Sequence, residues 1–118
     1  MKRMIKASMS NRKMYKVEVT WHDGTFNPTE TYDIEASSDQ EAVVDALECA
    51  KSDLSIESIY KVDEDKWEAL IDFAYQGAEW LFYNIEGTLE DEAIENAIND
   101  AAFYLCANVL FSYDKDEI

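Results

Sequence analysis

From Tyr15 to Trp21 the chain alternates strictly. Tyr15, Val17, Val19 and Trp21 fall on one face and Lys16, Glu18 and Thr20 on the other, the period of a half-buried strand. A second alternation, Tyr32, Ile34 and Ala36 against Thr31, Asp33 and Glu35, predicts its partner. The stretch between them, His22 to Pro28, carries Asp-Gly and Asn-Pro turn signals, so an antiparallel hairpin with a long loop is expected. Ser38 stands three residues before Glu41 as in a capping box, and Ala42, Val43, Ala46, Leu47 and Ala50 follow at helical spacing. That predicts a helix from Asp39 to Lys51. Ile56 to Val62, rich in β-branched and aromatic residues, predicts a third strand.

Beyond Asp63 the apolar positions read as helical. Trp67, Leu70, Ile71, Ala74, Ala78, Leu81, Phe82 and Ile85 form one stripe behind the acidic opening Asp63, Glu64 and Asp65, and Gly87 closes it. Thr88 is the expected cap of a last helix whose stripe runs through Ala93, Ile94, Ala97, Ile98, Ala101, Leu105 and Val109. The expected architecture is therefore α+β: a small antiparallel sheet in the order strand, strand, helix, strand, followed by two packed C-terminal helices. No internal repeat is evident. Residues 1–14 lack a period and are read as a separate basic segment, either mobile or laid against the body, with residues 15–118 as one α+β domain.

At 118 residues and 47% hydrophobic content, the chain is long enough for a single core without staples. Charge adds a constraint on partners. Six of the 10 basic residues lie in the first sixteen positions and none of the 26 acids does, so the remaining 102 residues carry 4 − 26, a net of −22. Such a body repels nucleic acid and favours a positively charged partner. Eight Trp and Phe residues argue against disorder despite the acidity. Cys49 and Cys106 sit within apolar helical patterns, which fits buried thiols in a reducing compartment. No apolar run follows the basic start as in a secretion signal, and none is long enough to span a bilayer, so a cytoplasmic protein of a bacterial host with no membrane partner is expected.

Catalytic chemistry finds little to work with. His22 is the single histidine and lies in a turn beside Asp23, with no nucleophile motif nearby. One His and two distant Cys cannot make a structural zinc site, and neither Asp63-Glu64-Asp65 nor the Asp114, Asp116 and Glu117 cluster has the calcium-loop pattern. Three glycines cannot build a phosphate-cradling loop. The reading is not an enzyme, with no cofactor and no metal.

The acids themselves are the candidate site. On the predicted helices Glu41, Asp45 and Glu48 form one outward row and Asp65, Glu68, Asp72 and Glu79 another, with Asp91 and Glu95 starting a third. Neighbours four apart rise ~6 Å, close to the phosphate spacing of a nucleic-acid strand. Even spreading over the surface would be about fourfold too dilute to imitate a duplex, so mimicry requires clustering. Trp80, Tyr83, Tyr75 and Phe73 fall outside the stripe of the first C-terminal helix. They suggest either deep burial or a face that docks a partner or a second copy.

The segment from Tyr15 to Ala50, YKVEVTWHDGTFNPTETYDIEASSDQEAVVDALECA, resembles the strand-strand-helix unit of small phage and mobile-element proteins, with EASSDQEA capping the helix. With its size and acidity, the whole resembles phage anti-defence inhibitors, including anti-CRISPR proteins. The resemblance implies a noncatalytic inhibitor that occupies the basic nucleic-acid site of a CRISPR or restriction nuclease by charge mimicry, with Glu41, Asp45, Glu48, Asp65, Glu68, Asp72 and Glu79 facing the partner and no direct nucleic-acid binding. The alternative is an assembly module that forms a homodimer through the aromatic face of the C-terminal helices.

Overall fold

The computed structural model describes residues 12–22, 27–77 and 79–114. Six strands and two helices follow in the order β1 (Lys13–Trp21), β2 (Thr29–Ala36), α1 (Asp39–Ser52), β3 (Leu54–Asp63), β4 (Lys66–Phe73), β5 (Trp80–Glu86), α2 (Glu90–Ala102) and β6 (Leu105–Tyr113). The protein is α+β, with two three-stranded antiparallel sheets rather than one, ordered β2-β1-β6 and β3-β4-β5. The first hairpin and first helix lie where the alternation and the Ser38 cap put them; Ser38 Oγ accepts from Glu41 N at 3.1 Å.

The expected pair of C-terminal helices is replaced by a hairpin and a helix-strand unit. Trp67, Ala69, Ile71 and Phe73 alternate inward on β4, each buried, so the strand period takes precedence over the helical stripe that the same residues also satisfy. The Asp63-Glu64-Asp65 run is the tight β3–β4 turn and not a helix start. A second turn interrupts the stripe after Phe73, where Ala74 (φ 53°), Tyr75 (φ 55°) and Gly77 (φ 78°) take left-handed conformations that no helix of L-residues continues through. Asp72 organises this turn: its carboxylate accepts from Phe73 N at 2.7 Å and Gly77 N at 3.2 Å. The last helix stops at Ala102, three residues short of Leu105, and Leu105 to Tyr113 form β6.

The chain is a tandem repeat, contrary to the expectation. Ala42, Ala46, Ala50 and Leu54 recur as Ala93, Ala97, Ala101 and Leu105, each pair 51 positions apart. Ile34-Glu35 recurs as Ile85-Glu86 at the same shift. Both repeats read strand, strand, helix, strand, and local bonds recur with them. Glu41 Oε1 accepts from Ser37 N at 2.7 Å, and Glu92 Oε1 from Thr88 N at 2.8 Å. His22 N donates to Tyr104 O at 3.0 Å as Ala74 N donates to Asp53 O at 2.9 Å.

The last strand of each repeat is exchanged. β3 pairs with β4 and β6 pairs with β1, so each sheet is centred on the first strand of one repeat and completed by the final strand of the other. Helix α1 covers β2, β1 and β6, and α2 covers β5, β3 and β4. The first lobe is thus β2-β1-β6 with α1, the second β3-β4-β5 with α2. The arrangement is that of a strand-swapped dimer fused into one chain. Three buried alanines from each helix, Ala42, Ala46 and Ala50 and their counterparts, lie against the sheets, their small side chains allowing close approach.

Trp21 and Phe73, the last residues of β1 and β4, are fully buried and meet at the junction, ring centroids 6.2 Å apart. Trp21 Nε1 donates to Ala101 O of α2 at 2.9 Å, tying the first lobe's central strand to the second lobe's helix. Buried residues of both lobes form one core. The expectation for residues 1–14 falls largely outside the described residues; Lys13 and Met14 begin β1.

Candidate functional site

The seven expected partner-facing acids are divided between the lobes. Glu41, Asp45 and Glu48 lie on α1 of the first. Asp65, Glu68, Asp72 and Glu79 belong to the second, and none of these four is on a helix: Asp65 is in the β3–β4 turn, Glu68 and Asp72 are on β4, and Glu79 precedes β5. The second row therefore does not exist as a helical row.

Three of the seven have structural partners. Asp72 is only 4% exposed and caps the β4–β5 turn. Glu41 accepts from Ser37 N, the amide just before the α1 cap, and meets Arg12 Nη1 at 3.4 Å. The Ser37 amide, aided by the Arg12 charge and the Ser37 hydroxyl, holds the Glu41 carboxyl below the usual range. Glu68 accepts from Tyr60 Oη at 2.7 Å, which raises the Tyr60 phenol. Asp45, Glu48, Asp65 and Glu79 have no side-chain hydrogen bond or ion pair among the described residues.

Charge is distributed unequally. The second lobe, residues 54–103, has 13 acids against Lys61 and Lys66, a net of −11. The first, residues 12–53 with 104–114, has 11 acids against Arg12, Lys13, Lys16 and Lys51, a net of −7. From Trp67 to Asp114 there are 10 acids and no basic residue. Within α2, Glu90, Asp91, Glu95 and Asp100 are exposed and carry no side-chain partner among the described residues.

On the uncovered face of the first lobe's sheet, Asp33 and Glu35 are instead paired with cations. Lys16 Nζ lies 2.8 Å from Asp33 Oδ1, and Tyr113 Oη donates to the same oxygen at 3.1 Å. The Lys16 hydrogen bond, followed by that of Tyr113, holds the Asp33 carboxyl below its usual value, and the same pair raises Lys16. Arg12 Nε meets Glu35 Oε2 at 3.4 Å. In the second lobe the described ion pair is Lys66 Nζ with Glu86 Oε1, at a loose 3.7 Å.

The aromatic residues outside the expected stripe are also re-placed. Phe73 is core, Tyr75 is in the β4–β5 turn, Trp80 is half-buried on β5 and Tyr83 is exposed on β5. With no C-terminal helical hairpin, the helical dimer face is absent. A cleft of about 470 Å³ lies beside β5, lined by Trp80, Phe82 and Tyr83 and by Asn99, Asp100, Phe103 and Tyr104 at the end of α2. Sequence reasoning missed this cleft and the α2 acids beyond Asp91 and Glu95. The 51-residue shift was the signal that would have exposed both, by showing where the repeats differ.

Cys49 and Cys106 are both exposed free thiols, Cys106 on β6, so the expectation of burial fails. Their helical reading placed Cys106 on a stripe that ends before it. Among the described residues no group of His, Cys, Asp and Glu is arranged to hold a metal ion. His22 is exposed at the end of β1. No described helix is long and apolar enough to cross a membrane. No family model, no curated protein and no solved structure matches the chain.

Proposed function

We propose that this protein is a noncatalytic binding protein whose acidic second lobe occupies a basic nucleic-acid-binding surface of a partner, as an anti-CRISPR-like inhibitor of a nuclease effector would. The supporting observation is the run from Trp67 to Asp114, 10 acids and no base, together with the exposed Glu90, Asp91, Glu95 and Asp100, which no side chain neutralises among the described residues. Asp91 and Glu95 are spaced four apart, which costs an isolated helix about 0.2–0.5 kcal/mol per like-charge pair. The helix dipole favours the acids of the first turn, Asp91 among them; a cationic partner would offset the repulsion between Asp91 and Glu95. The partner-facing set is then Asp45, Glu48, Asp65 and Glu79 with Glu90, Asp91, Glu95 and Asp100, while Glu41, Glu68 and Asp72 serve the fold.

The test is capture from host lysate at low salt with the full chain as bait, followed by elution with duplex DNA. Release of a nucleic-acid-binding protein by DNA, and loss of its capture by Glu90→Gln/Asp91→Asn/Glu95→Gln, supports the reading. Capture that DNA leaves untouched contradicts it. Self-assembly is the competing reading, favoured by Tyr60 and Tyr83, 48% and 60% exposed on the second sheet. A monomer mass that does not change with concentration removes it.

A further inference from the structure

In each lobe the outer strand of the hairpin meets the end of the helix, but with different residues. In the first lobe Glu30 and Tyr32 of β2 meet Cys49 and Asp53 at the end of α1. The Tyr32 phenol donates to Asp53 Oδ2 and closes the space. Burial, then the Asp53 contact, raises this phenol well above the ordinary tyrosine range. Lys51 stands in the last turn of α1, where the negative end of the helix dipole favours a cation.

Pairing register puts Trp80 and Phe82 of β5 where Glu30 and Tyr32 stand on β2, since Val19 faces Glu30 as Ile71 faces Trp80, and Val17 faces Tyr32 as Ala69 faces Phe82. The 51-residue shift puts Asp100, Ala102 and Tyr104 at the places of Cys49, Lys51 and Asp53. The second cleft is therefore open and aromatic. Trp80 lies 4.5 Å from Phe82 and 4.6 Å from Tyr104 between ring centroids, and Phe103, 5.4 Å from Tyr104, is 82% exposed.

The helix end here has lost its cation. The last turn of α2 holds no basic residue, and Asp100 adds a carboxylate where the helix dipole is already negative. Aromatic faces and a carboxylate, each attractive to a cation, converge on one cleft. The described cation–ring contact of the chain is elsewhere, Lys61 Nζ over Trp67 at 5.9 Å.

We propose that the second-lobe cleft is the anchor for an arginine side chain of the basic partner, the guanidinium lying against Trp80, Phe103 or Tyr104 beside the Asp100 carboxylate. A planar, weakly hydrated guanidinium suits stacked rings better than an ammonium does. The proposal rests on the reading of a basic partner and adds where that partner is gripped.

The test titrates the isotope-labelled full chain with N-acetyl-argininamide and, separately, with its uncharged isostere N-acetyl-citrullinamide, following the Trp80 indole N–H and the amides from Asn99 to Tyr104. The arginine probe is expected to move these signals and to bind about threefold or more tighter than citrulline. Phe103→Ser, the first-lobe residue at that place, should weaken the arginine probe by a similar factor. Ala102→Lys, which restores the missing cation, should weaken it more than Asn108→Lys, the same charge change on β6.

Equal response to both probes, shifts confined to α1, or equal effects of the two lysine variants would overturn the proposal. So would concentration-dependent shifts without probe, which would show a second copy in the cleft. Each of these failures leaves DNA-competed capture of a basic protein standing. Loss of that capture with the probe response intact would strike the broader reading alone.

Discussion

The two lobes share a plan and differ in how they treat charge. In the first, Lys16 neutralises Asp33, Arg12 meets Glu35 and Glu41, and Lys51 complements the end of α1. In the second, α2 has three acids in its first turn, none of its own cations and an acid near its C-terminus. Because the same backbone tolerates both solutions, the acidity of the second lobe is not a requirement of the fold. A duplicated scaffold thus serves as its own control: where the repeats part, the fold does not dictate the residue.

Strand exchange makes the lobes interdependent, and Trp21 is the sharpest place to test it. Truncation by Trp21→Ala empties the junction and breaks the bond to Ala101 O; a loss of about 3–5 kcal/mol is expected in denaturant unfolding. Near- and far-ultraviolet dichroism should still report one transition, since each sheet contains a strand of the other repeat. Two separated transitions would mean that the lobes fold as independent bodies.

Gly87 and Ala36 form the next contrast, being the same position in the two repeats. A Cβ on Gly87 would lie 2.9 Å from Ala93 N, so Gly87→Ala should cost about 1–3 kcal/mol. The reverse change in the first lobe, Ala36→Gly, meets no clash and should cost only about 0.5–1 kcal/mol by thermal melting. Equal costs would show that the helices do not approach their sheets differently.

Helix ends give a smaller effect of opposite sign. Ala102→Lys should stabilise the second lobe, and Lys51→Ala destabilise the first, each by about 0.3–1 kcal/mol at low salt and less at high salt. Melting curves at two ionic strengths check both signs.

Acid titration is the gentlest contrast. Asp33 and Glu41, both in the first lobe, have carboxyls held below their ordinary values of 3.8 and 4.5, so they favour the folded state above those values and lose that effect as pH falls through their lower folded values. Amide exchange should therefore show the β1–β2 face loosening first as pH drops below about 4, with Asp33→Asn removing part of the difference between lobes. Alkaline titration tests the opposite case. Tyr32, raised by burial and Asp53, should ionise only above the ordinary tyrosine range, and Asp53→Ala should bring it forward.

Much of the first repeat was legible in the sequence because each element there satisfies one period only. Tyr15 to Trp21 alternates without a break, and the Ser38–Glu41 box fixes the start of α1. The second repeat is ambiguous: Trp67, Ile71, Ala74, Ala78, Phe82 and Ile85 fit a helical stripe as well as a pair of strands. Local periodicity cannot see the left-handed turn at Ala74 and Tyr75, which Asp72 holds from beneath. Of the expected partner-facing acids, Glu41 could have been set aside from its capping box, whereas the burial of Asp72 appears only in three dimensions. The cleft beside β5 depends on Trp80 and Tyr104, brought together across 24 residues by the α2 crossover, and no local pattern contains it.

The claim on which the functional reading rests is that the unneutralised carboxylates of α2, rather than acidity in general, face the partner. The direct measurement is the affinity of the DNA-releasable captured protein for two variants of equal charge change, Glu90→Gln/Asp91→Asn/Glu95→Gln on α2 and Glu18→Gln/Asp33→Asn/Glu35→Gln on the first sheet, across a salt series. The α2 variant should bind more weakly and show a shallower salt dependence, with the first-sheet variant close to the parent. Equal weakening by the two would reduce the acids to a general field and contradict the account.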